Sequence, residues 1–98
     1  MTDDMDIVSN EVRPLPVLLY GRSWCEDTAA TRQRLIELDI PFVEVDIEKD
    51  EQAAQYVEFV NHGVIHTPTL VFGDQEFIIV EPTRDELLQA LRRAGYGF

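Results

Sequence analysis

Four short apolar runs punctuate the chain, and the residues between them repeat at helical spacing. The first run, "LPVLLY" at residues 15–20, is continuous, the pattern of a strand covered on both faces, and it ends at Gly21. Ser23 to Leu38 reads as a helix, and "SWCE" has the Ser-x-x-Glu form of a capping box. That form makes Ser23 the N-cap, puts Glu26 at the third helical position and leaves Cys25 in the first turn. After the break at Pro41, "FVEVDI" alternates, with Val43, Val45 and Ile47 on one side and Glu44 and Asp46 on the other, the period of a half-covered strand. "DEQAAQYVEFVNHG" opens on Asp50 and Glu51, sets Ala53, Val57 and Val60 along one helical face, and offers Gly63 as a C-cap.

Two further runs, "TLVF" and "EFIIV", flank "GDQ" and predict an antiparallel hairpin. In "PTRDELLQALRRAG" the capping-box form recurs at Thr83 and Glu86, ahead of Leu87, Leu88 and Leu91, with Arg92 and Arg93 near the negative end of the helix. The predicted order is therefore β-α-β-α-β-β-α. Alternating strand and helix implies a parallel first pair with a right-handed crossover, to which the hairpin adds antiparallel strands. The expected fold class is α/β, a mixed four-stranded sheet with helices on both faces.

Composition narrows the functional classes. A chain of 98 residues with 45% hydrophobic and 9% aromatic content makes one packed domain, expected over residues 14–98. Residues 1–13, acidic and without periodicity, read as a disordered tail. Nineteen acids against eight Lys and Arg give a net charge of −11, which argues against nucleic acid and anionic membrane surfaces as partners. "MTDDMDIVSNEV" has acids where a signal peptide needs a basic segment, and a lone cysteine suits a reducing compartment, so the expected location is the cytoplasm.

That cysteine carries the candidate chemistry. A thiol attacks as its thiolate, which helix N-terminal amides and a nearby cation favour; the first turn supplies the amides and Arg22 the cation, while Glu26 and Asp27 oppose them. Read alone, a free cysteine is more often a small buried apolar residue than a nucleophile, and Trp24 fits a core position equally well. His62 and His66 lack metal-ligand spacing, so no metal site is expected.

"VLLYGRSWCEDT", with its strand, glycine turn, Trp-Cys and helix start, resembles the active-site segment of glutaredoxins, and "HTPTLVF" resembles that family's Thr-Pro loop. The resemblance covers residues 15–96 and is greatest to the small bacterial mycoredoxin type. It implies a thioredoxin-like fold, a cis Pro68 beside Cys25, and a thiol-disulfide oxidoreductase of cell redox homeostasis. Dithiol members carry Cys-x-x-Cys; here Thr28 replaces the second sulfur, which implies a monothiol mechanism in which the Thr28 hydroxyl supports the thiolate.

On the same resemblance Cys25 is the catalytic residue, and Arg22, Trp24 and Thr28 support it. A small thiol (glutathione, mycothiol or bacillithiol) would contact Arg22, Thr67 and Pro68. Where the family has Gly-Gly and an acid this chain has "VEPTRD", which makes Thr83, Arg84 and Asp85 further candidate contacts. The small thiol is then a co-substrate rather than a cofactor, thiol proteins are the substrates, and the chain is expected to be a monomer. Two other classes fit a lone cysteine on this scaffold: a monothiol iron-sulfur cluster carrier, disfavoured by the acidic Glu26 and Asp27, and a redox-inactive interaction module.

Overall fold

The computed structural model describes residues 13–97. The tail proposed for residues 1–13 falls, apart from Arg13, outside these described residues. Seven elements follow in the expected order: β1 (Val17–Gly21), α1 (Glu26–Glu37), β2 (Val43–Asp46), α2 (Glu51–Val60), β3 (Thr69–Phe72), β4 (Phe77–Val80) and α3 (Arg84–Arg93). The strands form one sheet in the order β2-β1-β3-β4. β1 and β2 are parallel, with Leu18 opposite Val43 and Gly21 opposite Asp46. β3 runs antiparallel to β1 and to β4, with Tyr20 opposite Thr69 and Thr69 opposite Val80. These directions bring four chain segments to one end of the sheet: those leaving β1, β2 and β4, and the one entering β3.

Side-chain alternation along each strand feeds two cores. On one face Val17, Leu19, Leu70 and Phe72 pack with Leu35 of α1 and with Leu87, Ala90 and Leu91 of α3. Leu19, Leu35, Leu70 and Leu91 are fully buried, and each contributes about 1.5–3 kcal/mol of transfer free energy. On the other face Ala53 and Val57 of α2 pack with Ile47, Tyr20 and Val45.

The unequal cover revises two expectations. β1 is fully buried only at Val17, Leu19 and Gly21; Leu18 and Tyr20 are half-buried because a single helix covers their face. Val43 is 59% exposed, since β2 is an edge strand and α2 covers only its far end, at Val45 and Ile47. Glu44, on the opposite side of β2, accepts from Arg32 of α1 at 2.7 Å.

The two capping-box sequences behave differently. At α3 the box closes: the Glu86 amide donates to Thr83 Oγ1 at 3.1 Å and the Thr83 amide to Glu86 Oε1 at 2.8 Å. At α1 it does not form, because the Cys25 amide donates to the Arg22 carbonyl at 3.2 Å and closes a turn over Ser23 and Trp24. The helix therefore starts at Glu26 with Cys25, not Ser23, as its N-cap. α2 has its N-cap in Asp50, which accepts from the Ala53 amide at 3.0 Å. It ends at Asn61 rather than Gly63; His62 (φ 59°) and Gly63 (φ 96°) turn left-handed beyond it, and the Gly63 amide donates to the Glu58 carbonyl.

The contrast gives a paired test by urea unfolding. Thr83→Ala removes a working cap and should cost about 1 kcal/mol, whereas Ser23→Ala removes none and should stay within roughly 0.5 kcal/mol of the parent.

Candidate active site

At the end of β1 the backbone must pass under α1, and residue 21 decides whether it can. A side chain there would run into Thr28, so glycine lets the first turn of α1 settle onto the strand. Thr28 is fully buried as a result, and its hydroxyl has no hydrogen-bond partner. Cys25 sits just above it at the head of the helix, partly exposed and reduced.

A second backbone segment reaches the sulfur from the start of β3. The Thr67–Pro68 peptide is cis, as the Thr-Pro motif implies, and the Cys25 thiol donates to the Thr67 carbonyl at 3.6 Å. Neighbouring bonds fix this loop: Thr69 Oγ1 donates to the His66 carbonyl at 2.8 Å and accepts from Asn61 at 3.2 Å, and the Glu81 amide donates to the Pro68 carbonyl at 2.9 Å. Glu81 also pairs with His66 Nδ1 at 2.9 Å.

The Cys25 pKa lies below that of an ordinary cysteine. Burial alone would raise it; the bonds that the Thr28 and Thr67 hydroxyls and the Thr28 and Asp27 amides can donate to the ionised sulfur outweigh that cost. The amides at the helix start act as expected, but from an N-cap sulfur rather than a first-turn one. Neither the Arg22 charge nor the carboxylates of Glu26 and Asp27 figure among the causes of the shift.

The remaining candidates divide. Trp24 is 64% exposed and so not a core residue; its indole N–H donates to Glu48 Oε2 at 2.7 Å. The Arg22 guanidinium lies over the Trp24 ring, 5.2 Å from its centroid. Thr83 and Arg84 line a cavity of about 360 Å³ together with Asp27, Thr31, Arg34 and Glu81, between α1 and the start of α3. Asp85 is not in that lining; it is exposed, 3.9 Å from Arg84.

Glu48, Glu81 and His66 are the site neighbours that sequence reasoning did not single out as such. Glu48 sits in the acid-rich "DIEKDE", where nothing in the pattern distinguishes one carboxylate from the next. His66 and Glu81 were legible only as residues flanking the Thr-Pro loop and Pro82. Among the described residues no group of three or more His, Cys, Asp or Glu could hold a metal ion, and no helix is long and apolar enough to cross a membrane.

A four-stranded mixed sheet flanked by three helices, with one low-pKa cysteine at a helix start against a cis-proline loop, defines a thioredoxin-like domain with a monothiol site. The family model "Glutaredoxin" matches residues 17–78, and the chain belongs to the glutaredoxin family. It is 35% identical over 69 residues to "Putative glutaredoxin Rv3198A" of Mycobacterium tuberculosis, covering 70% of this chain and 81% of that protein. Among solved structures it is similar to the glutaredoxin of Methanosarcina mazei (TM-score 0.67, 25% identity, 87% of this chain and 85% of the other). The glutaredoxin of Archaeoglobus fulgidus is also similar (TM-score 0.60, 28% identity, 81% and 87% covered).

Thr28 gives the sharpest test of how the sulfur is held. Thr28→Val removes a hydroxyl that the neutral thiol leaves unpartnered but the thiolate would use, so the pKa of Cys25 should rise while folding stability in mild acid is unchanged or improved. The pH profile of alkylation by iodoacetamide should move to higher pH, with a several-fold slower rate at pH 7, and Thr28→Ser should restore most of it.

Proposed function

We propose that this protein is a thiol-disulfide oxidoreductase that works through Cys25 alone, reducing mixed disulfides between a thiol protein and a low-molecular-weight thiol of the glutathione or mycothiol kind. The observation that carries the reading is the Cys25 sulfur, with its lowered pKa, 3.6 Å from the carbonyl of Thr67 beside a cis proline. A buried structural cysteine would have neither the exposure nor the convergence of donors.

The reaction runs in two exchanges. The Cys25 thiolate attacks the small-thiol sulfur of the mixed disulfide; a new S–S bond joins Cys25 to the small thiol, and the partner protein leaves as a thiolate that takes a proton from water. A second small-thiol thiolate then attacks the small-thiol sulfur carried on Cys25. Cys25 leaves again as a thiolate, and the small thiol departs as its symmetric disulfide. In net, one free small thiol is consumed per mixed disulfide: its sulfur enters the symmetric disulfide as the partner's sulfur is released as a thiol, and no second protein cysteine is needed.

The chain supplies the rest of the machinery as binding surface. Thr67 offers backbone to an extended partner segment, in the manner of an added strand. The cavity beside Asp27 carries both signs of charge, Arg34 and Arg84 against Asp27 and Glu81, which suits a small thiol that itself bears charges of both signs, as glutathione does. Thr83 and Arg84 are its contacts on the α3 side, Thr67 and Pro68 its contacts at the sulfur, and Arg22, over the Trp24 ring, a further one. The small thiol is a co-substrate, and the reading requires no resident cofactor.

The test is reduction of a peptide mixed disulfide carrying glutathione or mycothiol, with the same small thiol as reductant. The parent should turn over and Cys25→Ser should fall to the uncatalysed rate; equal rates for the two would exclude catalysis by this sulfur.

A further inference from the structure

Strands β2 and β4 lie at opposite edges of the sheet, so the segments leaving them flank the Cys25 sulfur on two different sides. On the β4 side is the mixed-charge cavity already described. The β2 side, from Asp46 to Glu51, is of another kind: four carboxylates (Asp46, Glu48, Asp50 and Glu51) against the single ammonium of Lys49. Glu48 reaches from it to hold the Trp24 indole N–H at 2.7 Å, which keeps that ring out in solvent directly beside Cys25.

An exposed indole backed by carboxylates is a cation-binding surface, because the negative ring face and the acids attract the same charge. The ring already shows the preference: it takes the Arg22 guanidinium of its own chain at 5.2 Å. Arg22 offsets one carboxylate, and Arg34 and Arg84 line the far cavity beside Asp27 and Glu81, so the acid excess on the β2 side stands.

Resting on the oxidoreductase reading above, we propose that Trp24, Glu48 and the acidic segment Asp46–Glu51 form a docking wall for the protein half of the mixed disulfide, selecting partners with lysine or arginine next to the target cysteine. The small thiol then occupies the mixed-charge side, and the net charge of −11 steers cationic partners inward.

Three peptide mixed disulfides with the same small thiol, differing only in Lys, Ala or Glu on either side of the cysteine, test this directly. At low ionic strength kcat/KM should favour the Lys peptide over the Glu peptide by about ten-fold, narrowing near 1 M salt, where the Debye length is about 3 Å. Glu48→Lys should bring that ratio to about two-fold or less while turnover of the Ala peptide persists, and Glu48→Gln, which keeps an acceptor for the indole, should fall between. Equal turnover of all three peptides by the parent, or a preference that Glu48→Lys leaves unmoved, would overturn the docking wall and leave the catalytic reading standing. No turnover of any peptide by the parent would overturn the catalytic reading and this inference with it.

Discussion

The close approach of α1 to the end of β1, at Gly21 and Thr28, is the contact on which the site depends. With no side chain at Gly21, Thr28 lies flat against the strand and is sealed from water. That seal leaves one hydroxyl without a partner in the interior, a cost of about 1–3 kcal/mol. The cost is offset only when an acceptor forms nearby, and the group able to become a strong acceptor is the Cys25 sulfur on ionising. The packing of helix on strand thus biases the proton equilibrium at the helix head. A general account of the shift by helix dipole alone would assign too much to an effect worth about 0.3–1 kcal/mol.

Protonation also decides what the Thr67 backbone can do. The neutral thiol occupies the Thr67 carbonyl as a donor. A thiolate has no proton to give, so ionisation frees that carbonyl, and on the proposed function it would arm the nucleophile at the same time. The Thr67 hydroxyl and the first-turn amides take over as donors to the sulfur. On the proposed function, activation and opening of the strand-pairing position are then one event, at a loop tied by bonds of Thr69, Asn61 and the Glu81 amide.

Strand and helix order, the hairpin, and the meeting of Cys25 with the Thr-Pro loop were legible in the sequence because each rests on local pattern or a short motif. Where prediction failed, two local preferences competed for the same residues. "SWCE" and "TRDE" carry the same capping signal, yet the first loses to a turn closed by the Cys25 amide on the Arg22 carbonyl, and the helix head moves onto the cysteine. Spacing put Arg22 near the sulfur but could not show that its guanidinium lies over the Trp24 indole, two residues on. Glu48 was illegible because its role depends on where the β2 end falls relative to β1, a tertiary fact with no echo in an acidic run.

A single sulfur also constrains the surroundings. A dithiol site carries its own resolving group, so its partner need only reach one sulfur. On the proposed mechanism the mixed disulfide brings a partner protein and a small thiol to the one sulfur in the same exchange, so each needs a side of its own. Opposite edges of the sheet supply two such sides, one with both charges and a cavity between α1 and α3, the other acidic and aromatic along the segment after β2. On that mechanism, the separation of those surfaces would let a single sulfur hold both halves of its substrate without any extra catalytic group.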